Sequence, residues 1–464
     1  MRQHLRTIRW RLPSGLRLSF ERAVDRLVPL PRRLGRGYWG LRQFLQGAQW
    51  WDRARIEAWQ TEQLREVVRH AKASVPGYSL LYADARVGPE DIRRPEDVRL
   101  LPTVDKVLLR DNLKDFTATD IPYRHMQYLS TSGSTGIPFG LYQLESNVWI
   151  ERAFIHLGWE RSGWRPGDRS ARLRGERTAS HGIFWREDAL NRELHLSAHH
   201  LDLASCAAYV RRIEEFRAVA LQAYPSMATW LADLVLEGGD AGPKGLRVIL
   251  LASENIWEWQ LEKIQRAFPG TQAFGFYGHT EHVVLAPWCE HSRDYHVWPF
   301  YGLAEVLGED NQEVVPGEVG EIVGTSFWGR ATPFIRYRTQ DLARKRGWGC
   351  EPCGREGLLL QTIEGREHDV VVSHSGKKVP IPTHGMHGDL LRNVRELQFF
   401  QDSPGRVILR MIRNAAFTEQ DAFAIERVMT EKLGSGFELE IAYVPSIPKT
   451  PRGKACILDQ RLVV

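Results

Sequence analysis

Five aliphatic hydroxyls crowd into one short stretch of this 464-residue chain. Residues 128–136 read Tyr-Leu-Ser-Thr-Ser-Gly-Ser-Thr-Gly, which sets Ser130, Thr131, Ser132, Ser134 and Thr135 beside Gly133 and Gly136. Hydroxyl and backbone N–H donors, on a loop that glycine lets bend tightly, can wrap an oligophosphate. The same composition also suits a flexible surface linker. It is not a Walker loop, because no Gly-Lys-Ser/Thr follows a glycine at the required spacing. A second group is Cys289, His296, Cys350 and Cys353, two pairs of soft or borderline ligands that suit tetrahedral zinc, with His291 as the alternative histidine. The Cys350–Cys353 pair also reads as a redox motif, but that needs a strand-to-helix setting. Gly347, Gly349, Pro352 and Gly354 make a turn there instead. Four protein ligands close the coordination sphere, so the zinc would be structural. Cys206 and Cys456 read as structural thiols.

Three further segments give the hydroxyl loop a context: Tyr277-Gly278-His279-Thr280-Glu281, Arg336-Tyr337-Arg338-Thr339-Gln340-Asp341, and Pro448-Lys449-Thr450-Pro451-Arg452-Gly453-Lys454. With them the chain resembles the adenylate-forming superfamily of acyl-CoA synthetases and related ligases. It looks like the branch of phenylacetate-CoA ligases and CapK-like proteins. Leu101–Lys106, Ala223–Ser226 and Pro316–Val323 are similar to that branch too, and the resemblance runs from about residue 55 to 460. It implies activation of a small carboxylic acid by ATP and Mg²⁺ as its acyl-AMP, then acyl transfer. CoA is the leading acceptor. An amine or hydroxyl acceptor, in cell-envelope polysaccharide or secondary-metabolite synthesis, and a catalytically silent nucleotide-binding scaffold are the rivals.

The resemblance also distributes roles. It gives the β- and γ-phosphates to Thr131, Ser132, Gly133, Ser134, Thr135 and Gly136, and the α-phosphate to Thr280. Glu281 would hold Mg²⁺. Tyr277 would stack on the adenine, with Gly278, Ser253 and Glu254 in the same nucleotide site. Asp341 would accept from the ribose hydroxyls, and Arg366 would contact ribose or phosphate. Tyr224, Trp230, Ser253, His279, His282 and Val283 become acyl-pocket candidates, although the histidines equally suit structural roles. Lys454 would bridge the carboxylate and the α-phosphate; a flexible point charge suits phosphorus gaining negative charge. A turn of the small domain about Arg366–Asp369 would separate the two half-reactions. The chain departs from the pattern with Ile137-Pro138-Phe139 after the loop, where many relatives carry lysine. It departs again at Glu367-His368-Asp369, and at Gln340, where glycine is common and where positive φ is costly for glutamine.

These residues need a scaffold of more than one core, since 464 residues exceed what one domain usually holds. Leu246–Ala252 is an apolar run suited to a buried strand. A helix near 257–267 and a strand over 272–277 follow it, an order that predicts parallel sheet. Periodicity predicts helices over 54–73, 205–217 and 418–433 and a strand over 407–412. Pro316-Gly317 and Gly320 punctuate an antiparallel pattern over 313–326. The expected fold is α/β. Residues 1–364 form a large domain of parallel-rich sheets flanked by helices plus a small β-barrel-like part, and residues 365–464 a small, mobile α+β domain.

A net charge of +5 calls for no nucleic-acid partner. The charge is uneven, however: residues 1–36 hold ten arginines against Glu21 and Asp25. Within the basic segment of residues 1–50, these arginines suit either an anionic membrane surface or an amphipathic helix packed on the body, interrupted by Pro13, Pro29 and Pro31. No apolar run reaches the roughly 18 residues of a membrane span. No signal sequence is evident and the cysteine number is odd, so a cytoplasmic location is expected. A homodimer is compatible with all of this.

Overall fold

The computed structural model describes residues 12, 14–130, 139–174, 183–239, 242–366, 369–381, 388–450 and 453–462. The chain divides into two units: Met1–Pro166 with Phe276–Ile363, and Gly167–Gly275 with Glu364–Val464.

In the first unit, helix α1 (Ser14–Leu27) ends shortly before Pro29, which cannot continue it. Helix α2 (Arg36–Ala48) and helix α3 (Arg53–Ser74) come next. The Asp52 carboxylate caps α3 by accepting from the Arg55 N–H at 2.8 Å. The stripe Ile56, Leu64, Val68 and Ala71 is buried. The ring of Phe300 lies in that core, met edge-on by Phe44, Trp51 and Trp59, the geometry aromatic quadrupoles prefer. Strands β1 (Met126–Ser130) and β2 (Gly140–Leu144) pair antiparallel, with Ser130 opposite Gly140. Helix α4 (Glu145–Trp159) follows.

The rest of this unit is a five-stranded antiparallel sheet, in the place of the β-barrel-like part. Its order is β10 (Tyr295–His296), β14 (Arg355–Arg366), β13 (Tyr337–Cys350), β12 (Val319–Ser326), β11 (Gly302–Leu307). Gly302 and Gly320 permit close backbone approach, since a Cβ at either would meet a carbonyl oxygen at 2.3 or 2.6 Å.

The second unit carries the parallel sheet expected from the strand–helix–strand pattern. Its order is β4 (Trp185–Asp188), β5 (Glu193–Ser197), β3 (Ser170–Arg174), β6 (Ala220–Ala223), β7 (Val248–Ala252), β8 (Gln272–Gly278). β5, β3, β6 and β7 pair in parallel, and β4 is an antiparallel edge. Every residue of β7 is buried, as an apolar run in a covered parallel sheet should be. Helices α5 (Leu203–Glu215), α6 (Pro225–Gly238) and α7 (Glu258–Ala267) accompany these strands.

Residues 364–464 add a four-stranded sheet, ordered β19 (Glu438–Tyr443), β18 (Arg406–Arg413), β17 (Val394–Ser403), β20 (Leu458–Gln460), and helix α8 (Glu419–Leu433). Strands β15 (Val370–Val372) and β16 (Lys378–Pro380) form a separate antiparallel pair. Phe399, Leu409, Met411, Ile425 and Met429 make a core that Trp259 of α7 enters. Beside it, Lys263 is buried with Asp233; its Nζ donates to Asp233 Oδ2 at 3.1 Å and to the Val394 carbonyl at 2.6 Å. Removing one partner of a buried pair strands the other charge. Lys263→Ala should therefore cost about 3 kcal/mol, read by urea denaturation, and a Lys263→Leu/Asp233→Leu double variant should lose less. A single variant as stable as the parent would remove this pair from the account of the unit's stability.

Candidate active site

Tyr277 and Gly278 end β8, where they pair with β9 (Leu285–Pro287). Gly278 suits that pairing because a Cβ there would meet Leu285 Cδ1 at 2.7 Å. The chain then turns sharply, the His282 N–H donating to the His279 carbonyl at 3.2 Å. Thr280, half-buried, and Glu281 ride on this turn. Burial pushes the Glu281 carboxyl up, but the His279 ring, with Nδ1 3.2 Å from Oε2, outweighs it and leaves the group below its ordinary value. Glu281 is thus held as a carboxylate, the form a hard cation needs. Tyr337 Oη donates to its other oxygen at 3.5 Å. Tyr277 Oη donates to Asp341 Oδ2 at 2.7 Å, so the two side chains assigned to adenine and ribose are bonded to each other.

His282 Nδ1 lies 2.9 Å from Tyr301 Oη and 3.4 Å from Glu151. Val283 is fully buried, packed where Gly324 has no Cβ.

The segment Leu101–Lys106 is stitched to the one bearing Asp341. Val104 donates to the Arg336 carbonyl at 3.1 Å and accepts from the Arg338 N–H at 2.8 Å. The buried Arg336 guanidinium donates to both Glu305 oxygens and to the Arg99 and Leu101 carbonyls. Downstream, the Gln340 N–H donates to Glu321 Oε1 at 2.9 Å, and the Asp341 N–H to Thr339 Oγ1 at 3.1 Å. Gln340 sits at φ +62°, the left-handed conformation that glycine favours. Lys106, in a motif quoted without a role, adds a positive field at Glu281. Glu305, a lone glutamate in a strand, carries no local signal in the sequence.

In the second unit, Ser253 and Glu254 follow β7, with Ser253 at φ +73°. The half-buried Glu254 carboxylate accepts from the Ser226 N–H, the Ser226 hydroxyl and the Ala455 N–H. Tyr224 precedes Pro225 as the N-cap of α6. Lys454 Nζ lies 5.9 Å from the Tyr224 ring centre, and Lys449 Nζ 5.1 Å from that of Trp230. Gly365 is at φ +118°, a conformation reserved for glycine, three residues before the expected hinge position His368. Glu367, His368, Pro451, Arg452 and the loop residues Thr131, Ser132, Gly133, Ser134, Thr135 and Gly136 lie outside the described residues, as does the Arg366 side chain.

Cys289, His296, Cys350 and Cys353 come together in the first unit, their ligand atoms all within 4.8 Å of one another. Cys350 ends β13 and Cys353 closes the turn into β14, a hairpin rather than a redox strand-to-helix corner. The Cys289 and Cys350 sulfurs are 3.8 Å apart. Two sulfurs each roughly 2.3 Å from a tetrahedral zinc would lie roughly 3.8 Å apart, so the donor set fits the ion. Burial, with the charges of Arg161 and Arg355, pushes His296 down to about 2, leaving the neutral imidazole that ligates metals.

Residues 373–460 match the CapK C-terminal domain family. Phenylacetate-coenzyme A ligase of Thermus thermophilus is 26% identical over 328 residues, 69% of this chain and 72% of that protein. Protein CapK of Staphylococcus aureus is 21% identical over 407 residues, 85% and 87% of the two chains. Among solved structures, 2-hydroxyisobutyryl-CoA ligase in the postadenylation state, in complex with R3-HIB-AMP, shares the fold with a TM-score of 0.67 at 19% identity. That likeness covers 89% of this chain and 90% of the other. The C-terminal residues thus match the CapK C-terminal domain family, the longer alignments make the chain similar to phenylacetate-CoA ligases and CapK, and the fold is that of the adenylate-forming ligases.

Proposed function

We propose that this protein joins a small carboxylic acid to ATP as its acyl-AMP, releasing pyrophosphate, and passes the acyl group to CoA. The observation that carries the reading is the Tyr277–Asp341 hydrogen bond beside the half-buried, ionised Glu281. It gathers a ring face at the end of β8, a cation ligand on the turn that follows and a ribose acceptor on β13. A carboxylate is a poor electrophile until it carries a good leaving group, and AMP is one. Forming the acyl-AMP needs alignment and charge compensation more than covalent help.

In this proposal Tyr277 and Gly278 bind the adenine, Asp341 the ribose, and Thr280 the α-phosphate. The loop Thr131–Gly136 takes the outer phosphates, and Arg366 the ribose or phosphate. Glu281 holds Mg²⁺, which when bound offsets charge on the phosphate oxygens. Lys454 supplies the mobile cation at the α-phosphorus. Residues 365–464 turn about Arg366–Asp369 between the two half-reactions. Tyr224, His279, His282 and Val283 contribute to the acyl site. Cys289, His296, Cys350 and Cys353 hold a structural zinc.

A panel of carboxylic acids, scored by acid-dependent ATP–pyrophosphate exchange and then by product with CoA, an amine or a hydroxyl acceptor, tests the reading. Exchange with at least one acid and a CoA thioester as product are expected. Nucleotide binding without exchange for any acid would leave a silent nucleotide-binding protein. Lys454→Ala should lower exchange by about 10²-fold, the cost of losing one oxyanion-type contact; near-parental exchange would remove Lys454 from the mechanism. Protein purified without chelator should contain one zinc per chain by elemental analysis, lost in Cys350→Ser. Metal-free parent protein of unchanged stability would sink the zinc assignment.

A further inference from the structure

We propose that Glu254 is the positioning residue for Lys454, clasping the lysine's loop to the N-terminus of α6; the inference rests on the adenylation reading above. Glu254 Oε1 accepts from Ser226 Oγ at 3.1 Å and from the Ala455 N–H at 2.6 Å, while Oε2 accepts from the Ser226 N–H at 3.0 Å. Ser226 lies in the first turn of α6, where backbone N–H groups lack helical partners and the dipole favours an anion. Ala455 is the residue after Lys454. One carboxylate therefore ties a helix end to the main chain that carries the catalytic candidate.

The loop is held at its other end as well. Lys449 Nζ lies 3.7 Å from Glu396 Oε1 on β17, and its charge sits over the Trp230 ring of α6. Both Glu396 oxygens are buried without a hydrogen-bond partner among the described residues, which leaves Lys449 as the cation facing them. Between the two anchors, Thr450 closes the loop on itself: its N–H donates to the Lys454 carbonyl at 3.0 Å, and its hydroxyl accepts from the Lys454 N–H at 3.1 Å. A lysine side chain is flexible, so fixing its backbone is what limits where the ammonium can reach.

Three of the roughly four acceptor positions of a carboxylate are thus occupied by protein donors. A glutamine at 254 keeps one acceptor oxygen but turns N–H groups toward donors. Glu254→Gln should lower the turnover of ATP–pyrophosphate exchange by about 10- to 100-fold, with KM for ATP and CoA thioester formation from supplied acyl-AMP both within about twofold. Combined with Lys454→Ala it should cost no more than Lys454→Ala alone, because both remove the same contribution. A raised KM for ATP at unchanged turnover would instead make Glu254 a nucleotide ligand, and multiplying losses in the double variant would overturn the clasp. A second readout does not depend on the reaction: amide hydrogen exchange at Ala455 should quicken in Glu254→Ala. Unchanged protection there overturns the clasp, whereas absent exchange activity in the parent overturns the function.

A separate observation concerns α1, and from it we infer a docking surface for an anionic bilayer. Both acids of the first 36 residues are withdrawn from the surface: Glu21 is buried, and Asp25 pairs with Arg33 at 2.8 Å. Arg26, Arg32 and Arg36 stay exposed, and so do Leu16 and Leu27 of α1, Leu27 at 80%. Cations interleaved with exposed leucines suit a surface that is both negative and apolar. Nucleic acid would leave the leucines without a counterpart. The full chain should sediment with vesicles of phosphatidylcholine and phosphatidylglycerol but not with phosphatidylcholine alone. An Arg26→Gln/Arg32→Gln/Arg36→Gln variant should bind at least about tenfold more weakly, each charge near the surface adding to the attraction. Equal binding to neutral vesicles, an unaffected variant, or a preference for RNA over anionic vesicles would each overturn this inference.

Discussion

The strand that bears Tyr337 and Asp341 depends on one buried guanidinium. Arg336 enters β13 at φ +51°, a backbone state that costs a side-chain-bearing residue about 1 kcal/mol or more. Its side chain then binds Glu305 on β11 and two carbonyls at Arg99 and Leu101. A buried ion pair is seldom a large source of net stability, but breaking one partner out of it is expensive. Its value here is specificity. Only this bend lets Arg336 reach Glu305 while Val104 closes its two backbone bonds on either side of Tyr337. The register of β13, and with it the direction of Asp341, follows from that lock.

The same logic recurs at three of the other strained positions. His282, Gln340 and Ser253 also hold positive φ without being glycine, and each lies in a segment assigned to nucleotide or acyl group. His282 is held by Tyr301 and Glu151, and Gln340 by the Glu321 carboxylate at its N–H. Strain that persists because neighbours over-determine it belongs to a site built before its ligand arrives. Gln340 is the informative case. Glycine would take this conformation without cost, so the departure from the family pattern changes the local energetics while leaving the backbone path intact.

Much of the scaffold was readable in the chain itself because its signals are local. The all-apolar run of β7, the periodic α3 and α8, Pro29 after α1 and the turn at Cys350–Cys353, flanked by Gly349 and Gly354, each act over a few residues, and each gives the expected element. The pairings that organise the candidate site are different. Glu254 with Ala455, Glu305 with Arg336, and Asp233 with Lys263 join residues far apart in the chain, and no periodicity links them. Lys106 and Arg336 stood within recognised motifs, yet nothing in their spacing says that one projects a charge toward Glu281 while the other is consumed in holding the fold. Division of the chain at Pro166 and Gly275 had no compositional marker either.

The cysteine cluster bears on catalysis through geometry alone. Cys350 and Asp341 lie on one strand, β13, nine residues apart, and a strand rising roughly 3.4 Å per residue separates them by about 30 Å. An ion at the cluster is therefore too distant to polarise an acyl or phosphoryl oxygen near Asp341. Three thiolates and a neutral imidazole around Zn²⁺ would carry one net negative charge, costly in a buried place without compensation. Arg161 and Arg355 supply it: Arg355 is bound to Glu290, and burial, with the repulsion of Arg355, pushes Arg161 down to about 10. Glu290 balances part of this charge, and the remainder matches the single negative charge a loaded site would have. The ion's effect on the reaction would then run through the hairpin it closes, because pinning the far end of β13 limits how far the end bearing Asp341 can drift.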